Sequence, residues 1–324
     1  MGQLRWTTAL GMGAAAAITF SAGDAGVAVQ SGTIERKSPL MDAVAPPSVR
    51  IEKLADGFKF VEGPVWNTQG VLLFSDIPND AVMKWDPKTG AVTRYRARSA
   101  ATNGNTLDRQ GRLVSCEHSG RRVSVEAAPG RFETLTDRFD GKRFNSPNDV
   151  IFKSDGALYF TDPPYGLPKQ DDDPSKELAF NGVYRLKDGK VTLLTKELTR
   201  PNGLAFSPDD KTLYVANSDA ARKLWMAYPV RSDGSLGAGR IFHDVTSSKE
   251  DGLPDGMKVD TRGNVYGTGP GGVWVFSPDG AHLGTIKPPE PPANCHWGDD
   301  GKTLYMTART SLYRVRLSIS GIRP

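Results

Sequence analysis

Six side chains that can offer an oxygen atom to a ligand recur along this chain of 324 residues, each just before a stretch of strand-forming residues. They are Glu62, Asn103, Asn148, Asn202, Asp255 and Asn294. Five of them stand eight residues before the start of such a stretch, and Asn202 stands nine before Lys211. Carboxylate and amide oxygens are the ligands of hard cations such as Ca²⁺ and Mg²⁺. If the fold brings the six together, they would form a site for one divalent cation.

Turns alone could also produce part of this pattern, because Asn-Gly and Asp-Gly pairs commonly form turns. Six copies in register, one of them the poor turn former Glu62, favour a ligand site instead. Two carboxylates with amides favour Ca²⁺, and the pattern leaves Zn²⁺, Mg²⁺ and Mn²⁺ as alternatives. The glycine after Asn202 is expected to let the backbone turn tightly at this point.

The strand-forming stretches are copies of one repeat, and their starts lie 39 to 55 residues apart. They read GVLLFSD, GRLVSCE, GALYFTD, KTLYVAN, GNVYGTG and KTLYMTA, from Gly70, Gly111, Gly156, Lys211, Gly263 and Lys302. Repeats of about 40–50 residues that hold several short strands are typical of propeller blades. The sequence therefore predicts an all-β, six-bladed β-propeller whose innermost strands line a channel. The six oxygen-bearing residues, called the ring residues below, would meet near one mouth of that channel.

The two ends of the chain are expected to complete one blade together. The sixth repeat is one strand short at its C-terminal end, and residues 48–58, SVRIEKLADGF, precede the first blade. We predict that Val49–Leu54 pairs with the last blade and closes the ring of blades, which removes an open sheet edge. The propeller domain would then extend over residues 48–324.

The N-terminal segment predicts export from the cytoplasm. Arg5 precedes a run of small and apolar residues, 8–20, with further small residues behind it, which is the layout of a secretory signal peptide over about residues 1–28. The run is too short to span a bilayer comfortably, and a disordered Ala-rich tail is the alternative interpretation. Residues 29–47 would then be a linker or surface arm. The mature protein is expected to be periplasmic or secreted, with no membrane anchor.

Other features limit the range of functions. The net charge of +4 has no clustered basic face, which argues against nucleic-acid binding. Cys116 and Cys295 lie in strand-like runs and are expected to be free and buried. No Gly-x-Ser-x-Gly motif is present, so a serine nucleophile is not supported. His118 and His296 stand near ring positions, where a proton-transfer or substrate role competes with a purely structural one.

With these motifs, the chain resembles the gluconolactonase family, also called the senescence marker protein or regucalcin family, and especially its exported bacterial lactonases. The resemblance rests on EGPVW, NSPNDV, YFTDPPYG, RPNGLAFSPDDKTLYVAN and GLPDGMKVD, and it covers about residues 51–317. It implies a six-bladed propeller with one catalytic divalent cation in the channel. In the family the metal is held by the residues that match Glu62, Asn202 and Asp255, and Asn148 lies at or near the metal.

The implied chemistry is hydrolysis of a sugar lactone of the gluconolactone type to the aldonic acid. A cation makes the lactone carbonyl more electrophilic and stabilises the oxyanion that forms, while a carboxylate or the metal itself activates water. The resemblance suggests that Asp255 is both ligand and general base. Asn103, Asn148 and His118 are assigned to substrate binding.

Two departures from the family pattern concern the substrate pocket. Animal members have a sugar-contacting arginine two residues before the third-blade asparagine, where this chain has Ser146, so the natural lactone could differ. Residues 165–182, called the mouth loop below, form an insertion that is expected to shape the pocket. Two other functions stay open at this point: a phosphotriesterase or fluorophosphatase with the same metal ring, and a non-catalytic propeller that binds a sugar lactone or a partner.

Overall fold

Six antiparallel sheets arranged in a ring make up the computed structural model, which describes residues 31–322. We number the sheets blades 1 to 6 in chain order. Within a blade, strands that follow each other in the chain also lie side by side, so each blade is a meander from the channel outward. The predicted all-β, six-bladed propeller is confirmed.

The first four blades each contain four consecutive strands, ordered from the channel outward. Blade 1 consists of Val61–Trp66, Leu72–Asp76, Ala81–Trp85 and Val92–Ala97. Blade 2 consists of Thr102–Leu107, Leu113–Glu117, Arg122–Ala128 and Arg131–Thr136. Blade 3 consists of Val150–Phe152, Leu158–Asp162, Gly182–Lys187 and Lys190–Thr195. Blade 4 consists of Pro201–Phe206, Thr212–Asp219, Arg222–Pro229 and Arg240–Asp244.

The last two blades also recruit strands from the N-terminal part of the chain. Blade 5 consists of Met257–Val259, Val265–Gly269, Gly272–Phe276, His282–Lys287 and the N-terminal strand Thr33–Arg36. Blade 6 consists of Pro292–Gly298, Thr303–Ala308, Ser311–Arg316 and the N-terminal strand Ile51–Ala55.

Few other regular elements are present in the described residues. A two-stranded ribbon pairs Arg138–Phe139 with Lys142–Arg143. A short α-helix covers Leu40–Val44, and 3₁₀ turns cover Ile77–Asn79 and Gln170–Asp172. Within residues 31–322, no helix has the length and apolar character needed to cross a membrane.

The ring of blades closes by pairing of the two ends of the chain. Ile51–Ala55 runs antiparallel to Ser311–Arg316, with Ile51 opposite Val315 and Glu52 opposite Arg314. An ion pair of 2.7 Å between Arg314 Nε and Glu52 Oε2 adds to the backbone ladder. The predicted closing strand, 49–54, is therefore found with a shift of one or two residues.

The N-terminal stretch interpreted as a linker or surface arm is described from residue 31 and packs on the propeller. Thr33–Arg36 pairs with Gly284–Lys287 as a fifth strand of blade 5. Met41 is fully buried in the apolar cluster that blades 5 and 6 share. The predicted signal peptide, residues 1–28, lies outside the described residues.

The apolar core lies between the faces of neighbouring blades. Trp66 of blade 1 stacks on Tyr305 of blade 6 with ring centroids 5.3 Å apart, and Trp225 of blade 4 meets Phe276 of blade 5 edge-on at 5.1 Å. Such aromatic pairs add about 0.5–1.5 kcal/mol each beyond the area that they bury. Both cysteines are free and buried in these layers, as predicted. This packing fixes the inner strands, on which the ring residues stand.

Candidate metal centre and active site

The six ring residues all lie at the beginning of the inner strand of their blade or two residues before it. In blades 1, 2, 4 and 6 the register of the inner strand shifts at this point. Such bulges turn a side chain out of the regular alternation and are common beside active sites. Five of the ring side chains are buried, whereas Asp255 is partly exposed at the mouth. The fold therefore brings all six predicted residues to the same end of the channel.

Hydrogen bonds across blade boundaries connect the ring residues. The Asn294 side-chain amide of blade 6 donates to Glu62 Oε2 of blade 1 at 2.9 Å. On the other side of the mouth, the amide of Asn202 hydrogen-bonds the carboxylate of Asp255. The charge of Glu62 also raises the pKa of Asp255, which requires the two carboxylates to lie near each other. These residues belong to one polar cluster.

Glycine follows four of the ring residues. A tight backbone turn was the expected reason, but the structure shows a different one. The glycines are Gly63, Gly104, Gly203 and Gly256. Among these four, only Gly63 has a left-handed backbone, with φ of +50°. A Cβ atom on Gly203 would lie 2.3 Å from the carbonyl oxygen of Asp255 in the next blade. The glycine is required because the backbones of neighbouring blades approach each other closely at the ring.

A third carboxylate, outside the six predicted residues, lies beside the ring. Asp149 follows Asn148 in blade 3, at the position that holds glycine in four other blades. Its side chain is 3% exposed, and Oδ1 accepts a hydrogen bond from the backbone of Val150 at 2.9 Å. The exception to the glycine pattern was the signal that could have identified this residue.

Burial raises the pKa of all three carboxylates, and neighbouring carboxylate charges add to the rise at Glu62 and Asp255. Burial raises the pKa of Glu62 to about 7, and the charge of Asp149 adds to the effect. Burial, followed by the charges of Glu62 and Asp149, raises the pKa of Asp255 well above its ordinary value. Burial also raises the pKa of Asp149, while the charge of Lys258 opposes that rise. Crowded buried carboxylates of this kind are stabilised by a bound cation.

Two buried carboxylate oxygens of this cluster have no partner within the described part of the protein. Asp149 Oδ2 and Asp255 Oδ1 are buried and have no hydrogen-bond partner, a state that costs free energy unless a ligand supplies the partner. Within residues 31–322, no three His, Cys, Asp or Glu side chains are arranged to hold a metal. The amide oxygens of Asn148 and Asn202 are further donors that a cation at this ring could use. Such an oxygen-only donor set fits a hard divalent cation.

The two histidines near the ring are neutral. His118 Nε2 lies 3.2 Å from Asn103 Nδ2, so the imidazole accepts a hydrogen bond from the amide and carries its proton on Nδ1. Burial lowers the pKa of His118 to about 4. Burial also lowers the pKa of His296 to about 3, and its Nδ1 lies 2.6 Å from the carbonyl oxygen of Trp297. His118 is thus positioned to orient Asn103, whereas His296 contacts the backbone.

The mouth loop, residues 165–182, lies against blades 2, 3 and 4 at the ring. The Tyr165 hydroxyl donates to the carbonyl of Ser218 at 3.0 Å, and the Gly166 backbone donates to Ser146 Oγ at 2.8 Å. Burial, with the charge of Asp255, raises the pKa of the Tyr165 phenol. Because Asp255 acts electrostatically on Tyr165, the loop borders the same space as the ring.

Relative to Glu62→Gln, the metal-free protein is expected to lose thermal stability as the pH rises from about 5 to about 8. The pKa of Glu62 is raised from 4.5 to about 7, so the folded chain holds this proton more tightly than the unfolded chain does. The stabilisation is present below pH 4.5 and is lost as the pH rises through about 7. Melting temperatures of chelator-treated protein across this range measure the effect. Glu62→Gln should flatten the slope, and an equal slope in both proteins would contradict the assignment.

A six-bladed propeller with carboxylates and amides around one channel mouth defines a class of propeller proteins whose ligand site lies on the propeller axis. The chain belongs to the SMP-30/gluconolactonase/LRE-like family, because the sequence model of this family matches residues 60–310. The resemblance deduced from the motifs is confirmed.

Individual relatives agree with this assignment. The chain is 38% identical to the gluconolactonase of Zymomonas mobilis over 311 residues, which cover 90% of this chain and 87% of the relative. A solved gluconolactonase structure from Xanthomonas campestris shares 37% identity with a TM-score of 0.82, over 90% of this chain and 98% of that one. A pentonolactonase of Haloferax volcanii is 29% identical over 255 residues, 76% of this chain and 80% of the relative.

Proposed function

We propose that this protein is a metal-dependent lactonase that hydrolyses a sugar lactone of the gluconolactone type to the aldonic acid. The observation that supports this function best is the pair of unpartnered carboxylate oxygens, on Asp149 and Asp255, within a ring of amides. Relatives that cover most of this chain are named gluconolactonase.

The cation would be held by Glu62, Asn148, Asn202 and Asp255, and Ca²⁺ is the proposed metal. Glu62, Asp255 and Asp149 carry three negative charges, and Lys258 is close enough to lower the pKa of Glu62 and Asp149. The cluster therefore has two negative charges in excess, which one dication would balance. When bound, the cation would polarise the lactone carbonyl and stabilise negative charge on its oxygen.

The other steps of the proposed reaction are assigned to individual side chains at the ring. Asp255 is the proposed general base: its carboxylate accepts a proton from the water that attacks the lactone carbonyl carbon. The carbon–oxygen bond of the lactone ring then breaks, and the same proton is returned to the leaving oxygen, which becomes a hydroxyl group. Asn103 and Asn148 would hydrogen-bond the hydroxyl groups of the sugar. His118 would hold the amide of Asn103 in one orientation.

A substrate panel tests this function. Purified protein should release acid from gluconolactone and pentonolactone faster than buffer alone, measured with a pH indicator, and hydrolyse neither an aryl ester nor a phosphotriester at a comparable rate. A chelator should abolish the activity, and added Ca²⁺ should restore it. Preferred hydrolysis of the phosphotriester would assign the site to a phosphotriesterase, and lactone binding without turnover would assign it to a binding protein.

Glu62→Gln should raise the Ca²⁺ concentration needed for half-maximal activity by at least about tenfold. The substitution keeps the shape of the side chain while removing one of the charges that the cation would neutralise. Glu133→Gln is the matched control, because Glu133 lies on the exposed outer strand of blade 2 and its carboxylate pairs with exposed Arg131. Equal Ca²⁺ requirements for the two variants would exclude Glu62 as a ligand.

We further propose that the lactonase acts outside the cytoplasm. The support is the signal-peptide layout of residues 1–28. N-terminal sequencing of active protein from the periplasm or the medium should find a new terminus between about residues 23 and 29. Recovery of the exported form with Met1 or Gly2 still present would refute this proposal.

A further inference from the structure

Ser218 occupies a junction between two ring residues and the mouth loop. It lies near the end of the second strand of blade 4 and is 6% exposed. Its Oγ contacts Asn202 Nδ2 at 2.9 Å and also the carbonyl oxygen of Pro254, the residue before Asp255. Its own carbonyl accepts the hydroxyl of Tyr165 at 3.0 Å. One residue therefore links a ring side chain, the backbone beside a second ring residue and the mouth loop.

Blade 4 differs from four of the other blades in what its second strand offers to the ring; blade 2 has Cys116 at the compared place. Four blades carry a hydroxyl at the same place of the repeat, namely Ser75, Thr161, Thr268 and Thr307. Those hydroxyls bond backbone groups at the ring, as Ser75 Oγ does with the carbonyl of Asn103 at 2.7 Å. In blade 4 that place is Ala216, and Ser218, two residues further on, contacts a ring side chain as well as a backbone carbonyl.

The direction of these hydrogen bonds determines how Asn202 is oriented. A serine hydroxyl has one hydrogen atom, and Ser218 must use it for the carbonyl of Pro254, which can only accept. Towards Asn202 the hydroxyl oxygen can then only accept, so the end of the amide that lies at 2.9 Å must be the NH₂ group. The Oδ1 atom of Asn202 is left as the end available to a cation.

We infer that Ser218 is a positioning residue of this site. It selects the orientation of Asn202 in which the amide oxygen is presented to the cation, and through Pro254 it fixes the backbone next to Asp255. Through Tyr165 it couples the mouth loop to the same point. The inference rests on the proposed function, because it concerns the affinity of the ring for a divalent cation.

Ser218→Ala removes one of the two acceptors for the NH₂ group and leaves only the Asp255 carboxylate to favour this orientation of the amide. We expect the Kd for Ca²⁺, measured by calorimetry on chelator-treated protein, to rise about 10–100-fold, the usual result of losing a group that orients a metal ligand. The value of kcat at saturating Ca²⁺ should fall much less, because Asp255 is still present. Ser124→Ala is the matched control: Ser124 is also a buried serine whose hydroxyl is hydrogen-bonded, to Glu117, and it lies on the third strand of blade 2. It should leave the Kd unchanged.

A double-mutant cycle separates orientation from general support of the structure. Asn202→Asp places two equivalent oxygens at the side-chain end, so neither orientation is wrong, and Ser218→Ala should then cost little Ca²⁺ affinity. An equal loss in both backgrounds would overturn the inference. If Ser218→Ala does not fold, Ser218→Cys keeps the size with a weakly accepting sulfur and should change the Kd in the same direction.

The wild-type protein distinguishes failure of this inference from failure of the proposed function. Binding of Ca²⁺ by the wild type with no change in Ser218→Ala would overturn the positioning role alone. Binding of none of Ca²⁺, Mg²⁺, Mn²⁺ or Zn²⁺ by the wild type would overturn the metal centre and this inference with it.

Discussion

Asp255→Asn is expected to lower lactone turnover by about 10²–10⁴-fold, and saturating metal should not restore it. Asparagine keeps nearly the same shape and one oxygen donor, but it has neither the charge nor the basicity of the carboxylate. Ca²⁺ affinity should fall, yet a higher metal concentration should refill the site. The remaining deficit would then measure the missing proton acceptor. The assay is acid release from gluconolactone at several Ca²⁺ concentrations, with metal occupancy followed by calorimetry.

Asn202→Asp is the control for this experiment. It changes the charge at the same ring without touching the proposed base, and Asn202 lies within hydrogen-bonding distance of Asp255. This variant should bind Ca²⁺ at least as well as the wild type does. If Asp255→Asn regained full turnover at saturating metal, Asp255 would be a ligand only. The metal itself would then be the next candidate for activating water.

The fold could be predicted from the sequence because its signals are local and repeated. The six strand copies and their spacing define the blades, and the incomplete sixth repeat requires a strand from the N-terminal side. That strand was predicted at residues 49–54 and is found at Ile51–Ala55. The strand Thr33–Arg36 was not predicted, because four residues without a repeat partner carry little signal. Its place is set by contacts with Gly284–Lys287, which are about 250 residues away in the chain.

The site was predictable in its ring residues but not in what supports them. Register along the repeat was enough to place Glu62 and Asp255 at one mouth. The roles of Asp149 and Ser218 depend on contacts between blades, which no single repeat encodes. Ser218, for example, reaches the carbonyl of Pro254, 36 residues further along the chain. Only departures from the repeat gave a hint, since Asp149 replaces a glycine and Ala216 replaces a hydroxyl residue.

Gly203→Ala is expected to destabilise the protein and weaken the metal site together. The added Cβ would meet the Asp255 carbonyl oxygen at 2.3 Å and the Gly256 Cα at 2.6 Å. Both are backbone atoms, so blades 4 and 5 must move apart at the ring. Overpacking of this kind costs about 1–3 kcal/mol, which corresponds to a fall of several degrees in Tm. Thermal unfolding of metal-free protein measures this cost.

The loss of Ca²⁺ affinity in Gly203→Ala should exceed what the lower stability explains, because the displaced residues are the proposed ligands Asn202 and Asp255. Gly237→Ala is the matched control within blade 4. Gly237 also lacks a left-handed backbone, but its added Cβ would come no closer than 3.3 Å, to the side chain of Pro229. It should leave Ca²⁺ affinity unchanged.

Unchanged affinity in Gly203→Ala as well would mean that the close approach of the two blades serves packing alone. A loss of Ca²⁺ affinity in Gly203→Ala but not in Gly237→Ala would show a role for Gly203 in the metal site. Glycine would then be needed after Asn202 because the spacing between blades 4 and 5 sets the distance between Asn202 and Asp255.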